Sequence, residues 1–357
     1  MVASLFSLRK IRLFLEKEIF ILPSRTMAFF FCLGLLILPL FTKDPYLLRI
    51  IILSSIFAIF AASWDLLSGF TGQMNFGHAL FFGVAAYTSA ILNLRIGLPP
   101  WMTIPIGALA AVIAGLAIGI PCLRLRGPYL ALATLAFPII LMGIVFTIPN
   151  ITGGELGVSG LKPLASSRIA SYYICVILMI GLGLVMWKIG DSKTGIIFHA
   201  IREDEVAVRA SGINTTRYKL LAFSLSGFFA GLSGGLYTHF IRIAGPSTLE
   251  VSLSFQAIIW AIFGGVVTIY GPITGVFILY PLMEFLRILP EIRTLLFGLI
   301  VIIILLFMPE GLTTWIRDRM EEECPRCKVR NVVWRKTCRI CFAEMGKKKT
   351  EGGENGA

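Results

Sequence analysis

Four cysteines carry the most specific chemistry in this sequence. Cys324-Pro325-Arg326-Cys327 and Cys338-Arg339-Ile340-Cys341 form two C-x2-C knuckles with ten residues between them. Thiolates at that spacing can surround one zinc ion as a tetrahedron, and four protein ligands leave no open position for catalysis. A structural zinc ribbon is therefore expected over 324–341. A reducing cytoplasm suits such thiolates better than disulfides. The remaining cysteines, Cys32, Cys122 and Cys175, stand singly in apolar runs and read as small core residues.

Three further stretches are polar or glycine-rich within apolar surroundings. Gly69-Phe70-Thr71-Gly72-Gln73-Met74-Asn75-Phe76-Gly77-His78 interrupts an apolar region. At membrane depth such groups must be buried in protein or line a polar path. Gly72, Gln73, Asn75, Gly77 and His78 are thus path candidates, and a capped turn with closely packed helices is the equal alternative. Thr152-Gly153-Gly154, continuing to Gly160, is a loop suited to docking a partner or gating, although its spacing also fits a plain connector. Ala200 to Ala210 has helical periodicity, with Ile197, Ile201 and Val208 on one face and Arg202, Glu203, Asp204, Glu205 and Arg209 elsewhere. Gly212 is a natural stop, and Asn214 or Thr215 a natural cap for the next helix. Such a helix suits a membrane surface or a groove on a cytoplasmic partner, or serves as a solvated linker.

Other chemistry is missing. There is no G-x4-G-K-[ST] loop, so ATP hydrolysis is not expected of this chain. H-E-x-x-H is absent, and His78, His199 and His239 are scattered. Asp65 and Glu284 are the carboxylates in apolar regions, both near span ends, whereas ion-coupled carriers more often place such groups mid-span.

The elements that position these residues follow from composition. The chain has 357 residues, 57% hydrophobic and 15% charged, against about 25% charged in soluble domains. Apolar runs fill most of 27–308, each close to the ~20 residues that cross ~30 Å of hydrocarbon. Spans are expected at 27–42, 46–67, 75–94, 101–122, 128–148, 170–188, 218–242, 254–269, 271–287 and 294–309. The net charge of +12 is concentrated in the N-terminal stretch, in Lys188–Lys219 and in the C-terminal tail. By the positive-inside rule these lie in the cytoplasm, which requires an even number of spans and a break near Tyr270-Gly271-Pro272. The distribution argues against nucleic acid as a partner and for anionic lipid beside the tail. The expected fold class is an all-α integral membrane protein of about ten transmembrane helices with a four-cysteine segment. The leader, 1–26, carries a candidate interfacial helix at 11–20 and no cleavable signal; the membrane domain is 27–312, with a cytoplasmic loop at 189–217; the tail is 313–357.

These segments resemble the permease subunits of branched-chain amino acid ABC importers, the Liv-type family and its LivM branch. The resemblance rests on Gly69 to Ala79, Leu125-Arg126-Gly127-Pro128-Tyr129 continuing to Phe137, Thr152-Gly153-Gly154, Ala200 to Glu205 with Gly212-Ile213-Asn214 and Arg217 to Leu220, then Gly264-Gly265, Tyr270-Gly271-Pro272 and Pro309-Glu310-Gly311-Leu312. They occur in family order from about residue 45 to 315. The resemblance implies a plasma-membrane importer with a second permease, two cytoplasmic ATPases and an extracellular binding protein. Arg202, Glu203, Asp204, Glu205 and Arg209 would then form a coupling helix. Asn75, where the family often has Ser, and Asp65, where it often has Asn, depart from the pattern, and the tail is no usual part of it. Related permeases carry urea or short amides, so the expected cargo is a branched-chain or related hydrophobic amino acid, with those solutes as the alternative. A carrier or channel acting alone is the competing class, and a membrane enzyme would lack a catalytic cluster.

Overall fold

The computed structural model describes residues 23–122, 125, 127–288, 292–308, 310–327, 330–333, 337–338 and 340–344. The expected interfacial helix at 11–20 and the lysine run 347–349 lie outside these residues. The chain forms two units, 35–313 and 1–34 with 314–357.

The larger unit is helical. Its elements are α1 (Pro23–Phe41, from Leu35 onward), α2 (Pro45–Trp64), α3 (Ala79–Ile91), α4 (Pro100–Cys122), α5 (Pro128–Thr147), α6 (Arg168–Gly190), α7 (Lys193–Glu203), α8 (Glu205–Ala210), α9 (Thr215–Ile241), α10 (Val251–Gly264), α11 (Tyr270–Phe285) and α12 (Arg293–Phe307). Among the described residues, seven helices are long and apolar enough to cross a membrane: Pro45–Gly69, Ala79–Ile96, Pro100–Cys122, Pro128–Thr147, Arg168–Gly190, Thr215–Ile241 and Tyr270–Ile288. Helices also stand at the other three expected positions, but α10 has 14 residues and α12 has 15.

The core is built around α2. Asp44 accepts from the Tyr46 N–H at 3.0 Å and Pro45 occupies the first turn, which starts the helix. From Leu48 to Trp64 nearly every side chain is buried, the mark of a helix enclosed by others. Rows of small residues on α9, including Gly227, Gly231 and Gly234, let it pack closely against α3 and α4.

Two expected boundaries move, for stated reasons. The third span, expected from residue 75, begins at Ala79, because the Asn75 carboxamide accepts from the Gly77 N–H at 3.0 Å and holds a local turn. The break expected at 270–272 lies earlier, between Gly264 and Tyr270, with Gly265 at φ 115°. Pro272 sits in the first turn of α11, where its missing N–H is no loss.

Irregular backbone enters the bundle twice. The His78 ring bonds the Ser63 hydroxyl at 2.9 Å and the Phe60 carbonyl at 3.2 Å. Residues 70–78 thus run back beside α2, rising ~9–14 Å above Gly69 at ~1.5 Å per residue. From the other end, Ile243–Ala244 pairs with Val158–Ser159 as a short antiparallel ladder (β2 with β1), Leu249 lies against Gly83, and the Ser254 hydroxyl accepts from the Ala79 N–H at 2.8 Å. That descent explains why α10 is short.

In the smaller unit, β3 (Glu321–Glu323) pairs antiparallel with β4 (Arg330–Val332), and Thr337 bridges Glu344. Ahead of β3 lies α13 (Leu312–Met320), where the Arg319 guanidinium sits 4.3 Å from the Trp315 ring centre.

Candidate functional site

The charged loop after α6 folds as two short helices rather than the single one expected over 200–210. Asp204 leaves helical geometry at φ −152°, ψ 99°, and its carboxylate accepts from the N–H groups of Val206 and Ala207 at 2.8 and 3.0 Å. A capping aspartate inside a helical pattern thus restarts the helix. The expected stop and cap are both present: Gly212 has φ +82°, and the Asn214 side chain accepts from the Arg217 N–H at 3.1 Å. Ile201 and Val208 are buried, while Arg202, Glu203, Asp204 and Arg209 are exposed.

Glu205 holds α8 to α9. Its carboxylate meets Lys219 at 2.6 Å, Arg209 at 2.7 Å and the Thr215 hydroxyl at 3.3 Å. Burial alone would raise the Glu205 pKa, but these cationic and hydroxyl partners outweigh it and hold the carboxyl below its usual range.

Helix α7 docks on the end of α2. The Arg202 guanidinium donates to the Gly69 carbonyl at 2.8 Å, and its stem packs beside Gly72. His199 and Phe70 face each other with ring centres 4.8 Å apart. One turn deeper, Asp65 is fully buried and accepts from the N–H groups of Val267 and Thr268 at 2.8 and 3.0 Å. One carboxylate therefore ties the end of α2 to the break between α10 and α11, where Val267 has φ +67°.

The five path candidates occupy the ascending segment. Gly72 is exposed beside Arg202, whereas Gln73, Asn75, Gly77 and His78 are buried. The Asn75 carbonyl accepts from the Trp64 indole at 2.8 Å, and the Phe76 N–H donates to the Thr134 hydroxyl at 3.1 Å. A Cβ on Gly77 would overlap the Thr134 carbonyl, so the close crossing with α5 needs glycine there. Gln73 donates to Thr71 at 3.0 Å, while its Oε1 is buried with no partner among the described residues.

At the opposite end, the Thr152 hydroxyl donates to the carbonyls of Val145 and Ile148 at 2.6 and 2.8 Å. Gly153 and Gly154 follow with φ +75° and +59°. Gly157, at φ +68°, lies so close to Ala244 that a Cβ would overlap its carbonyl. Lys162 bonds the Gly97 carbonyl at 2.8 Å, and its own carbonyl meets the His239 ring at 2.9 Å. The loop is thus pinned at several points.

In the smaller unit, the sulfurs of Cys324, Cys327, Cys338 and Cys341 all lie within 4.8 Å of one another. The N–H groups of Cys341 and Ile340 lower the Cys338 pKa to about 5, and those of Cys327 and Arg326 lower that of Cys324. Both shifts favour thiolates.

Sequence reasoning did not find the supporting partners: Ser63, Trp64, Thr134 and Ser254 are single polar or aromatic residues inside apolar runs, with no local pattern. Asp65 was visible as a charge in such a run, but its partners lie about 200 residues away, beyond any local signal.

A family model described as the permease component of branched-chain amino acid transport systems matches residues 46–305. The chain is 29% identical to the high-affinity branched-chain amino acid permease protein LivM of Escherichia coli, over 75% of this chain and 70% of that protein. It is 26% identical to the probable branched-chain amino acid permease LivH of Methanocaldococcus jannaschii, over 64% of this chain and 76% of that one. The ribose import permease RbsC of Haemophilus influenzae is 28% identical over 51% of this chain and 58% of its own. No solved structure matches.

Proposed function

Since the chain belongs to the family of branched-chain amino acid transport permease components, we propose that it forms half of the membrane path of an ATP-driven importer. Its cargo is a branched-chain or related hydrophobic amino acid. Its partners are a second permease, two cytoplasmic ATPases and an extracellular binding protein, in the plasma membrane. About ten crossings place both termini in the cytoplasm.

The observation that carries this reading is the docking of α7 on α2 through Arg202 and Gly69. The surface pair α7–α8 offers Glu203, Asp204 and Arg209 to a partner while Ile201 and Val208 are buried and Glu205 is tied to Lys219 of α9. Motion imposed from the cytoplasm would pass through Arg202 and Phe70 to the end of α2. From there Asp65 would carry it to the α10–α11 break, where a change of tilt opens one end of the path and closes the other. No bond is made or broken in this chain; the residues position and move. Gly72, Gln73, Asn75, Gly77 and His78 would border the inner half of the path, with the spare acceptor of Gln73 available to a passing polar group. Thr152, Gly153 and Gly154 belong to a rigid outer surface suited to receiving the binding protein.

In the tail, Cys324, Cys327, Cys338 and Cys341 would hold structural zinc. Sulfurs within 4.8 Å of one another suit a tetrahedron of Zn–S bonds of ~2.3 Å and edges of ~3.8 Å. When bound, zinc would staple the β3–β4 hairpin.

The test is uptake of labelled leucine into vesicles holding the assembled complex and its binding protein. ATP-dependent uptake is expected. Uptake by this chain alone, driven by an ion gradient, would replace the reading with a self-contained carrier; competition by urea or short amides but not leucine would change the cargo.

A further inference from the structure

A cavity of about 180 Å³ opens between α2, α9, α10 and α11, at the end of the bundle away from Arg202. Its mouth carries Arg49, Glu284 and Arg287, and aromatic rings lie deeper. Phe57, eight residues further along α2 than Arg49, lies ~12 Å inward at ~1.5 Å per residue. Phe57 and Tyr280 have ring centres 5.3 Å apart, and Gln256 adds a polar amide. Behind them Trp260 is 5.4 Å from Phe57, and its buried indole N–H has no partner among the described residues.

The charges are not all mutually spent. Glu284 pairs with Arg287 at 3.1 Å, through one carboxylate oxygen. Arg49 pairs with no carboxylate among the described residues. The cavity therefore offers a cation, an anion and an aromatic-lined interior within one opening. The opening is roomy enough for several waters or a small polar solute. Long charged side chains often merely reach toward an interface. Here, however, the wall beneath them bears an amide and phenol-bearing rings rather than aliphatic residues alone.

We propose that this cavity binds the zwitterion of an apolar α-amino acid, with Arg49 taking the carboxylate, Glu284 the ammonium and the Phe57–Tyr280 wall the side chain. This deepens the importer reading and rests on it. The site would receive cargo from outside before it reaches the segment at 72–78.

The experiment uses the complete complex in vesicles, with its binding protein, and reads both leucine uptake and binding-protein-stimulated ATP hydrolysis. Wild-type complex comes first: if it imports no solute with ATP, the importer reading falls, whatever the cavity does, and if it imports urea or short amides but not leucine, the cargo reading falls and this proposal with it. Given wild-type import, Arg49→Gln should lower uptake about tenfold, the effect of ~1.4 kcal/mol, with stimulated hydrolysis retained. Ile50→Trp, which narrows the same cavity, should depress leucine uptake more than alanine uptake. Wild-type uptake and an unchanged leucine-to-alanine ratio in these variants would overturn the proposal. So would a parallel fall of hydrolysis and uptake in both, which would make these residues parts of assembly rather than of a cargo site.

Discussion

Asp65→Ala is expected to loosen the helix break between α10 and α11 without unfolding the bundle. The carboxylate accepts two buried backbone N–H groups, from Val267 and Thr268, at 2.8 and 3.0 Å. Leaving a buried donor unpaired costs about 1–3 kcal/mol, so losing both costs about 2–6 kcal/mol. Alanine also removes the penalty of burying a carboxylate, and Asp65 is fully buried, so the lower end of that range applies. A loss of about 2 kcal/mol corresponds to a ~30-fold larger population of the locally open state. Asp65→Asn keeps one acceptor oxygen and loses one bond, so it should fall between wild type and alanine. Amide exchange measured by mass spectrometry on the assembled complex resolves this, comparing peptides that cover 262–270 with peptides from α6. Faster exchange is expected in the first and none in the second. Unchanged exchange at Val267 and Thr268 in Asp65→Ala, or asparagine worse than alanine, would refute the reasoning.

Three other outcomes follow from the same geometry. Glu203→Arg with Asp204→Arg should abolish ATP-driven uptake while binding-protein docking persists; the paired assays are vesicle uptake and pull-down, and unchanged uptake removes the coupling role. Gly157→Ala places a Cβ against the Ala244 carbonyl at a positive φ and should lower stability by about 1–3 kcal/mol, read as a lower melting temperature and weaker binding-protein docking. Cys324→Ser with Cys327→Ser should remove about one zinc per chain, and metal analysis finding none in the parent protein would reject the site.

Much of the helical framework was legible because membrane spans advertise themselves: an apolar run of adequate length needs no partner to be recognised. The cap at Asn214 and the stop at Gly212 were legible for the same reason, being local. What failed was also local in appearance but decided elsewhere. Asp204 sits in a sequence with helical period, yet its carboxylate satisfies the Val206 and Ala207 amides better outside the helix. Residues 75–78 look like a helix start, but Trp64, Ser63 and Thr134 hold them outside the helix. The break moved from Gly271-Pro272 to Gly265 because proline is harmless in a first turn, and glycine at φ 115° is the stronger interruption. The cavity beside Arg49 had no sequence signature: Arg49, Gln256 and Glu284 come from three helices and read individually as ordinary residues near span ends or in apolar runs.

The two irregular segments bear on how such a chain can move. Backbone N–H and carbonyl groups at membrane depth are tolerated only when partnered. Here the partners are exchanged between segments. Ser254, near the start of α10, satisfies the Ala79 amide at the start of α3, and Thr134 of α5 satisfies Phe76. Neither segment can shift alone without stranding a buried donor, a loss of about 1–3 kcal/mol for each bond broken. A cooperative displacement keeps the bonds and avoids that loss. The contacts Arg202–Gly69 and Asp65–Val267 place the handle of that displacement on the short charged helices α7 and α8. The same bonds that make polar backbone admissible inside the membrane thus favour moving its helices as a group, which is the behaviour alternating access requires.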